Sequence, residues 1–553
     1  MNLFSKKYWI KGFLAIAAVS CSVQSLANEP AKTAPASTAS APNTAAPAAP
    51  AATNAANNAE PEKFNWAGVP PVTPMPRPGL FVIPPTGPGY FSLWDLITGN
   101  KRETPPVAPY APFGLLPTPG FDIDFRYLEK PDHEKDISDP FKRIKLADNW
   151  MLSFGGQFWY RYMHETDSRL NAEGQDNKYH QFRTRFHADL WYRDQFRLYA
   201  EFIDARSLGL DLAALPTDRN HTDMLNLFAD VKLGQLKDGP VYLRVGRQEL
   251  LYGSQRLISP LEWVNTRRTF QGVKAFWRTP TLDLDAFWVR PMTVERNEFD
   301  NWDKGRNFMG LFGTYKPMKG QLLDLYYLSL VDNRVLNPTN VQQGIVLQGD
   351  SVLHTLGGRI AGDYNRILYE VEGMYQFGRR SSLDISAFAV ATGLGYHVPL
   401  PMNPQFWIRY DFASGDSNHQ DGRSNTFHQL FPFGHYYFGF LDQVGRQNIH
   451  DFNAQFTIHP QPWFTFITQY HRFYLANNRD FLYNAAGLGT LRDTSGQSGS
   501  HVGDEIDFRV NVHVSRHQDL LFGYSKLFAG DFLKAQRPGV SPDFFYAQYV
   551  IRF

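Results

Sequence analysis

The chain offers almost no thiol chemistry: of its 553 residues a single one is cysteine, Cys21, and it lies within a segment that reads as an export leader. Removal of that leader would leave no thiol, which excludes disulfides, zinc–thiolate sites and cysteine catalysis together. Long apolar runs are also missing. No segment approaches eighteen consecutive apolar residues, so no transmembrane helix is predicted. Charge of one sign is absent as well: 55 Lys and Arg against 54 Asp and Glu leave a formal net charge of +1. Without a basic cluster there is no electrostatic footprint for nucleic acid, which is set aside as a partner.

Residues 1–27 have the order of parts expected of a signal peptide. Lys6, Lys7 and Lys11 precede a short apolar run at 12–19, and Ser25-Leu26-Ala27 places small residues at both positions that a signal peptidase reads. Ala18-Val19-Ser20-Cys21 offers a lipobox as the alternative, with Ala18 where Leu is usual. Residues 28–63 are nearly all Ala, Pro, Thr, Ser and Asn; they bury too little to offset ordering entropy and predict a disordered tether. Residues 64–140 keep the prolines but add aromatics, as in FNWAGVPPVTPMPRPGLFVIPPTGPGYFSLWDLITGN. Short apolar islands between prolines suggest an extended segment that docks on a larger body, or plugs it, with a periplasmic linker as the plainer alternative. The whole N-terminal extension is expected on the periplasmic side.

What the chain has in excess is aromatic residues, 15% of the total, together with a negative mean hydropathy of −0.38. Many aromatics without long apolar runs predict surfaces that alternate. FRTRFHADLW puts Phe182, Thr184, Phe186, Ala188 and Leu190 on one face and Arg183, Arg185, His187 and Asp189 on the other. FWIRYDFA and DFRVNVHVS repeat the pattern, separated by turn-rich stretches such as KLGQLKDGP and ASGDSNHQDGRSN. A soluble sandwich would also alternate. Against it stand the length of the chain, charged faces that mix arginines with acids, and more Tyr and Phe than a sandwich would place outside. Backbone groups in lipid must all be paired, so the sheet must close. The fold class predicted is therefore all-β, a closed antiparallel transmembrane β-barrel over residues 141–553. At about 22–26 residues per strand with its share of loop, roughly 410 residues give sixteen to eighteen strands. A lumen of that size is too wide for strand side chains alone to fill.

The last ten residues, FFYAQYVIRF, carry an outward row of Phe545, Ala547, Tyr549, Ile551 and Phe553. A closed barrel pairs its last strand with its first, and such a row is expected to face outer-membrane lipid. A terminal Phe553 after alternating aromatics also resembles the signal read by the barrel assembly machinery, an expected partner.

Two longer stretches carry a family likeness. YLRVGRQELLYGSQRLISPLEWVNTRRTFQGVKAFW, residues 242–277, resembles a strand and following loop of the alginate export family of outer-membrane barrels. NTFHQLFPFGHYYFGFLDQVGRQNIHDFNAQF, residues 425–456, with HVGDEIDF and the closing YVIRF, is similar to a subgroup of that family. The resemblance implies an eighteen-stranded barrel that passes an acidic polysaccharide, bound by arginines from several strands, at the cell outer membrane. The expected channel is passive and passes an anionic or neutral polysaccharide or smaller polar solutes; a general diffusion porin and a plugged structural or adhesion barrel are the alternatives. Strand parity supplies the inward candidates Arg183, Arg185, Arg197, Arg244, Arg409, Arg509 and Arg552, because cationic rings concentrate field lines in a low-dielectric pore. The same parity turns Asp189, Glu201, Glu370, Glu372, Asp411 and Asp507 inward, so cross-strand ion pairs are expected to balance many of these arginines. Arg267 and Arg268 lie in a loop, where parity is silent.

Enzyme chemistry finds weaker support. SNHQDGRSN, residues 417–425, resembles a stretch of the outer-membrane phospholipase barrels, in which a His activates a Ser. Here Asp421 stands where the nucleophile belongs, and a carboxylate does not replace an activated hydroxyl; Ser424 has the wrong spacing from His419. Asp416, Asn418 and Asp421 suggest calcium, but the Gly comes one place late for an EF-hand loop. None of the 16 histidines has the i, i+4 arrangement on a helix that zinc hydrolases use. Glu370 and Glu372 share a strand face about 7 Å apart, a spacing that occurs in any lumen. The sequence therefore predicts no enzyme, no cofactor and no metal.

Overall fold

The computed structural model describes residues 64–71, 82–107, 110, 119–170, 174–334 and 350–553; the expected leader and tether lie outside them. All described residues belong to one compact unit, 55% strand and 7% helix, and no described helix is long and apolar enough to cross a membrane.

Eighteen antiparallel strands close into a barrel. In chain order they are β1 (Trp150–Thr166), β2 (Asn177–Tyr192), β3 (Phe196–Leu208), β4 (Asn220–Leu236), β5 (Gly239–Gln248) and β6 (Phe270–Arg278). Then come β7 (Leu282–Thr293), β8 (Arg306–Tyr315), β9 (Gln321–Asp332), β10 (Ser351–Tyr364), β11 (Ile367–Arg380) and β12 (Leu383–His397). The last six are β13 (Gln405–Ala413), β14 (Ile449–Gln461), β15 (Phe464–Leu475), β16 (His501–Ser515), β17 (Gln518–Ala529) and β18 (Asp543–Arg552). Each pairs with its sequence neighbours, and β18 returns to β1 with Arg552 opposite Gln157 and Asp543 opposite Thr166. No edge is left, as lipid demands.

One end of the barrel carries short turns, such as 193–195, 237–238, 365–366 and 516–517; the other carries most of the long loops, among them 249–269, 414–448 and 476–500. The stretch KLGQLKDGP is less turn-like than its composition suggests: β4 runs on to Leu236, and only two residues separate it from β5.

The alternation is physical. In β2 the odd-numbered polar residues Arg183, Arg185 and His187 are buried, while Phe186 is exposed to the outside. Near the loop end, outward tyrosines repeat one cross-strand contact. Tyr160 bonds His180, Tyr327 bonds His354 and Tyr410 bonds His450, each hydroxyl 2.8 Å from Nδ1; Tyr375 reaches Ser386 at 3.3 Å, and Tyr470 bonds Asp504. In every case the partner lies two residues toward the loop from the residue directly opposite. Such diagonal pairs keep amphipathic rings at one level around the barrel, an interfacial girdle.

The interior is occupied by two of the loops. Residues 249–269 and 414–448 fold inward, and Leu250, Tyr252, Ile258, Trp263, Phe427, Phe433 and Val444 join inward strand residues such as Phe270, Phe308 and Tyr546 in one buried cluster. A helical turn, α2 in chain order at Gly434–Tyr437 after α1 at Leu93–Thr98, lies within the second loop.

The described parts of 64–143 lie at the short-turn end. Trp66 and Val69 pack with Met151, Trp191, Tyr242 and Phe276, while Ile83 packs with Leu322, Ala361, Leu368 and Trp407. Phe121 enters between Tyr199 and Phe228. A short strand, Ile144–Ala147, then pairs with the start of β1.

Candidate functional site

The inward arginines divide into two populations. In the first, every guanidinium but that of Arg268, which backbone carbonyls hold, is matched by a carboxylate. Arg183 pairs with Glu262, a residue of the in-folded loop. Arg185 meets Glu201 at 2.6 Å, Arg197 meets Asp189 at 2.7 Å, Arg244 holds Asp230 with two bonds of 2.7 and 2.8 Å, and Arg552 pairs with Asp519. Arg267 pairs with Glu249 and Glu262; Arg268 donates to the carbonyls of Ser259 and Pro432 and binds its own loop to the other.

The two glutamates on β11 belong to this matched population. Arg256, from loop 249–269, donates to Glu370 at 2.7 Å and to Glu372 at 3.1 Å. Arg359 joins Glu370 to Asp324, 2.6 Å from each, and Tyr326 donates to Glu372 at 2.7 Å. Burial works against the charge on Arg256, but attraction from Glu370 and other nearby groups outweighs it and holds its pKa above the ordinary value. Asp411 is bound by Arg446 of the second loop. Asp507 lies 3.8 Å from His471 and accepts from the Phe440 backbone.

The second population has no carboxylate. Among the described residues none comes within 4.0 Å of Arg161, Arg409 or Arg509. Arg161 is sandwiched between indoles, its Cζ 3.8 Å from the Trp159 ring centre and 3.7 Å from that of Trp263. It donates to Gln548 and to the Trp263 carbonyl, both at 2.8 Å. Arg409 lies over Trp407 and donates to Asn453 at 3.2 Å and Gln455 at 3.0 Å. Arg509 lies 5.8 Å from the Phe440 ring centre, and its buried Nη1 has no partner among the described residues.

Two tyrosines connect these cations. The Tyr546 ring lies over Gly523, where an added Cβ would come 2.0 Å from Cε1; only glycine lets the ring lie down between β17 and β16. This puts Tyr546 within the field of both Arg161 and Arg509, with its buried hydroxyl unpartnered among the described residues. Tyr436, from α2, lies within the field of both Arg409 and Arg509 and donates to Gln455 at 3.0 Å. The result is an arc of three guanidiniums on the wall from β13 through β18 to β1. Aromatic faces stabilise their charge, but among the described residues no carboxylate pairs with it within 4.0 Å. Guanidinium forks of this kind recognise carboxylates bidentately.

Parity supplied Arg409 and Arg509 without separating them from the paired arginines. Arg161 was missed, although WYRYMH shows the same alternation, with Tyr160 and Tyr162 outward. Arg256 and Arg446 lie in loops, where only the family stretches marked the region.

The stretch 417–425 forms an exposed turn on the second loop. His419 lies 3.7 Å from Asp416 and 3.6 Å from Asp480. Oxygens of Asp416, Asn418 and Asp421 accept local backbone N–H groups, and among the described residues no group of His, Cys, Asp or Glu is arranged to hold a metal.

Several solved barrels from Pseudomonas aeruginosa are similar to this chain. The outer membrane protein OpdK aligns at 12% identity over 72% of this chain and 98% of its own, TM-score 0.50. OpdQ aligns at 13% over 73% and 97%, TM-score 0.48, and OccK11 (OpdR) at 12% over 73% and 96%, TM-score 0.47. No curated protein matches the sequence. The Alginate export family model matches residues 150–547, nearly the whole barrel. The chain therefore belongs to the alginate export family, and is an outer-membrane channel protein and not an enzyme.

Proposed function

We propose that the channel passes an anionic saccharide, its carboxylates handed along the arc of Arg161, Arg509 and Arg409. The observation that carries this reading is the absence of any carboxylate within 4.0 Å of those three strand guanidiniums among the described residues, on a wall where Arg183, Arg185, Arg197, Arg244 and Arg552 each have one. A buried unmatched cation is costly, and an anion in transit relieves that cost. The uncharged donors and acceptors beside the arc, Asn453, Gln455 and Gln548, suit sugar hydroxyls. In this reading the short turns face the periplasm and the long loops the cell exterior, the usual arrangement of bacterial barrels, so residues 64–143 are periplasmic.

Reversal potentials across a planar bilayer under a salt gradient test it. The wild type should favour anions, and the triple variant Arg161→Gln, Arg409→Gln, Arg509→Gln should fall toward indifference. Block of the current by an oligouronate should weaken in parallel. An unchanged permeability ratio in the triple variant refutes the arc as the selective element.

A further inference from the structure

The N-terminal segment holds the barrel mouth from opposite sides. Trp66 and Val69 are seated against β1, β2, β5 and β6. Ile83 is seated against β9, β10, β11 and β13, across the ring. It is fixed there through its backbone: its N–H donates to Gln405 at 3.1 Å, and its carbonyl accepts from Asn403 at 2.8 Å. Gly89 lies against Pro462 in the β14–β15 turn. Asp136 accepts from His517 at 2.8 Å in the β16–β17 turn, and Tyr110 packs beneath Arg552 and His517. The segment's ends are clasped together, since Arg143 donates to the carbonyls of Val69 and Trp66.

One turn of the segment rises into the barrel. The Phe121 ring sits edge-on between Tyr199 and Phe228, at 5.6 and 5.4 Å, with Arg244 4.9 Å from its centre. Its carbonyl accepts from Arg197 at 2.7 Å. Gly120 permits this, because a Cβ there would come 2.5 Å from the Tyr199 hydroxyl. A ring flanked by aromatics, with an oxygen on a guanidinium, is also how a sugar acid would sit.

We propose that the described parts of residues 64–143 are a plug in the short-turn mouth, with the Phe121 turn filling a pocket that an anionic sugar would otherwise enter, so that transport requires their displacement. The proposal rests on the channel reading above. The segment contacts both sides of the ring and the turns between, which a linker leaving the barrel would not do.

A disulfide staple tests it in the full chain. A Cβ built on Gly89 lies 4.0 Å from the Cβ of Pro462, within the range that a disulfide spans. The Gly89→Cys, Pro462→Cys variant should conduct at least about tenfold less when oxidised than after reduction, with unchanged heat-modified migration on gels showing an intact barrel. Phe121→Ala, without any cross-link, should raise the open probability. Equal currents in the oxidised and reduced forms, with Phe121→Ala at the wild-type level, overturn the plug and leave the channel reading standing. Silence of the variant in both redox forms and of Phe121→Ala overturns both.

Discussion

At the scale of single residues, the interior is stabilised by matched charge, and removing one member is more damaging than its exposure suggests. Arg256 is the only described cation that reaches both Glu370 and Glu372. Arg256→Ala would leave Glu372 with only hydroxyl donors and Glu370 with Arg359 alone, and breaking a buried pair from one side costs about 3–5 kcal/mol. A lowered thermal transition in detergent should report it, while Arg206→Ala, whose partner Asp204 lies on the outer face, should change little. A second residue outside the strands responds to pH. Asp300 lies in the β7–β8 loop, bonded to Asn220 at 3.0 Å and to the Glu295 N–H at 2.9 Å. Burial, reinforced by the neighbouring Asp223, pushes its pKa up to about 7. A carboxyl with a raised folded pKa favours the packed loop fully below its unfolded pKa near 3.8, and loses that contribution as pH rises through about 7. Hydrogen exchange in 294–305 should therefore quicken between pH 4 and 7, beyond the intrinsic chemical rate, and Asp300→Asn should flatten the dependence.

At the scale of elements, strands were readable and in-folded loops were not. A strand writes its orientation into every second residue, and FRTRFHADLW was enough to set Arg183 and Arg185 on the buried side. A loop has no period. Residues 249–269 and 414–448 carry polar, aromatic and glycine residues like any exposed loop, and nothing local distinguishes one that turns into the barrel. The turning device itself is visible only in the backbone. Gly246 and Gly272 oppose each other across β5 and β6, with φ of +135° and +158°. A Cβ there would come 2.2 Å from the Leu227 carbonyl oxygen and 2.3 Å from that of Trp288. The paired kinks bend both strands just where the chain leaves for the interior. Gly246→Ala should cost on the order of 1–3 kcal/mol in backbone strain. It should also make loop 249–269 more open to protease in the folded barrel, a result that simple loss of stability elsewhere in the sheet would not give.

At the scale of the whole molecule, closure was legible because lipid permits nothing else, and the strand estimate of sixteen to eighteen reached the observed eighteen. The two loops that fill the ring were not legible, since a lumen wall and a packed interior use the same alternation of polar and apolar residues. Closure depends on one seam, where β18 meets β1 and the Phe553 backbone exchanges hydrogen bonds with Gly156 at 2.9 and 3.0 Å. Gly156 gives the seam its close fit: a Cβ there would stand 2.7 Å from the Arg185 carbonyl oxygen and 2.9 Å from the Phe553 ring. Gly156→Val presses on the neighbouring strand on one side and on the closing aromatic on the other, and a closed sheet has no free edge toward which to relax. The variant should therefore be made and exported but accumulate as a form that lacks the heat-modified shift of a closed barrel. If Gly156→Val assembled at the wild-type rate, the seam would be more compliant than its geometry implies, and closure would have to depend on the remaining ladder from Phe158 to Thr166.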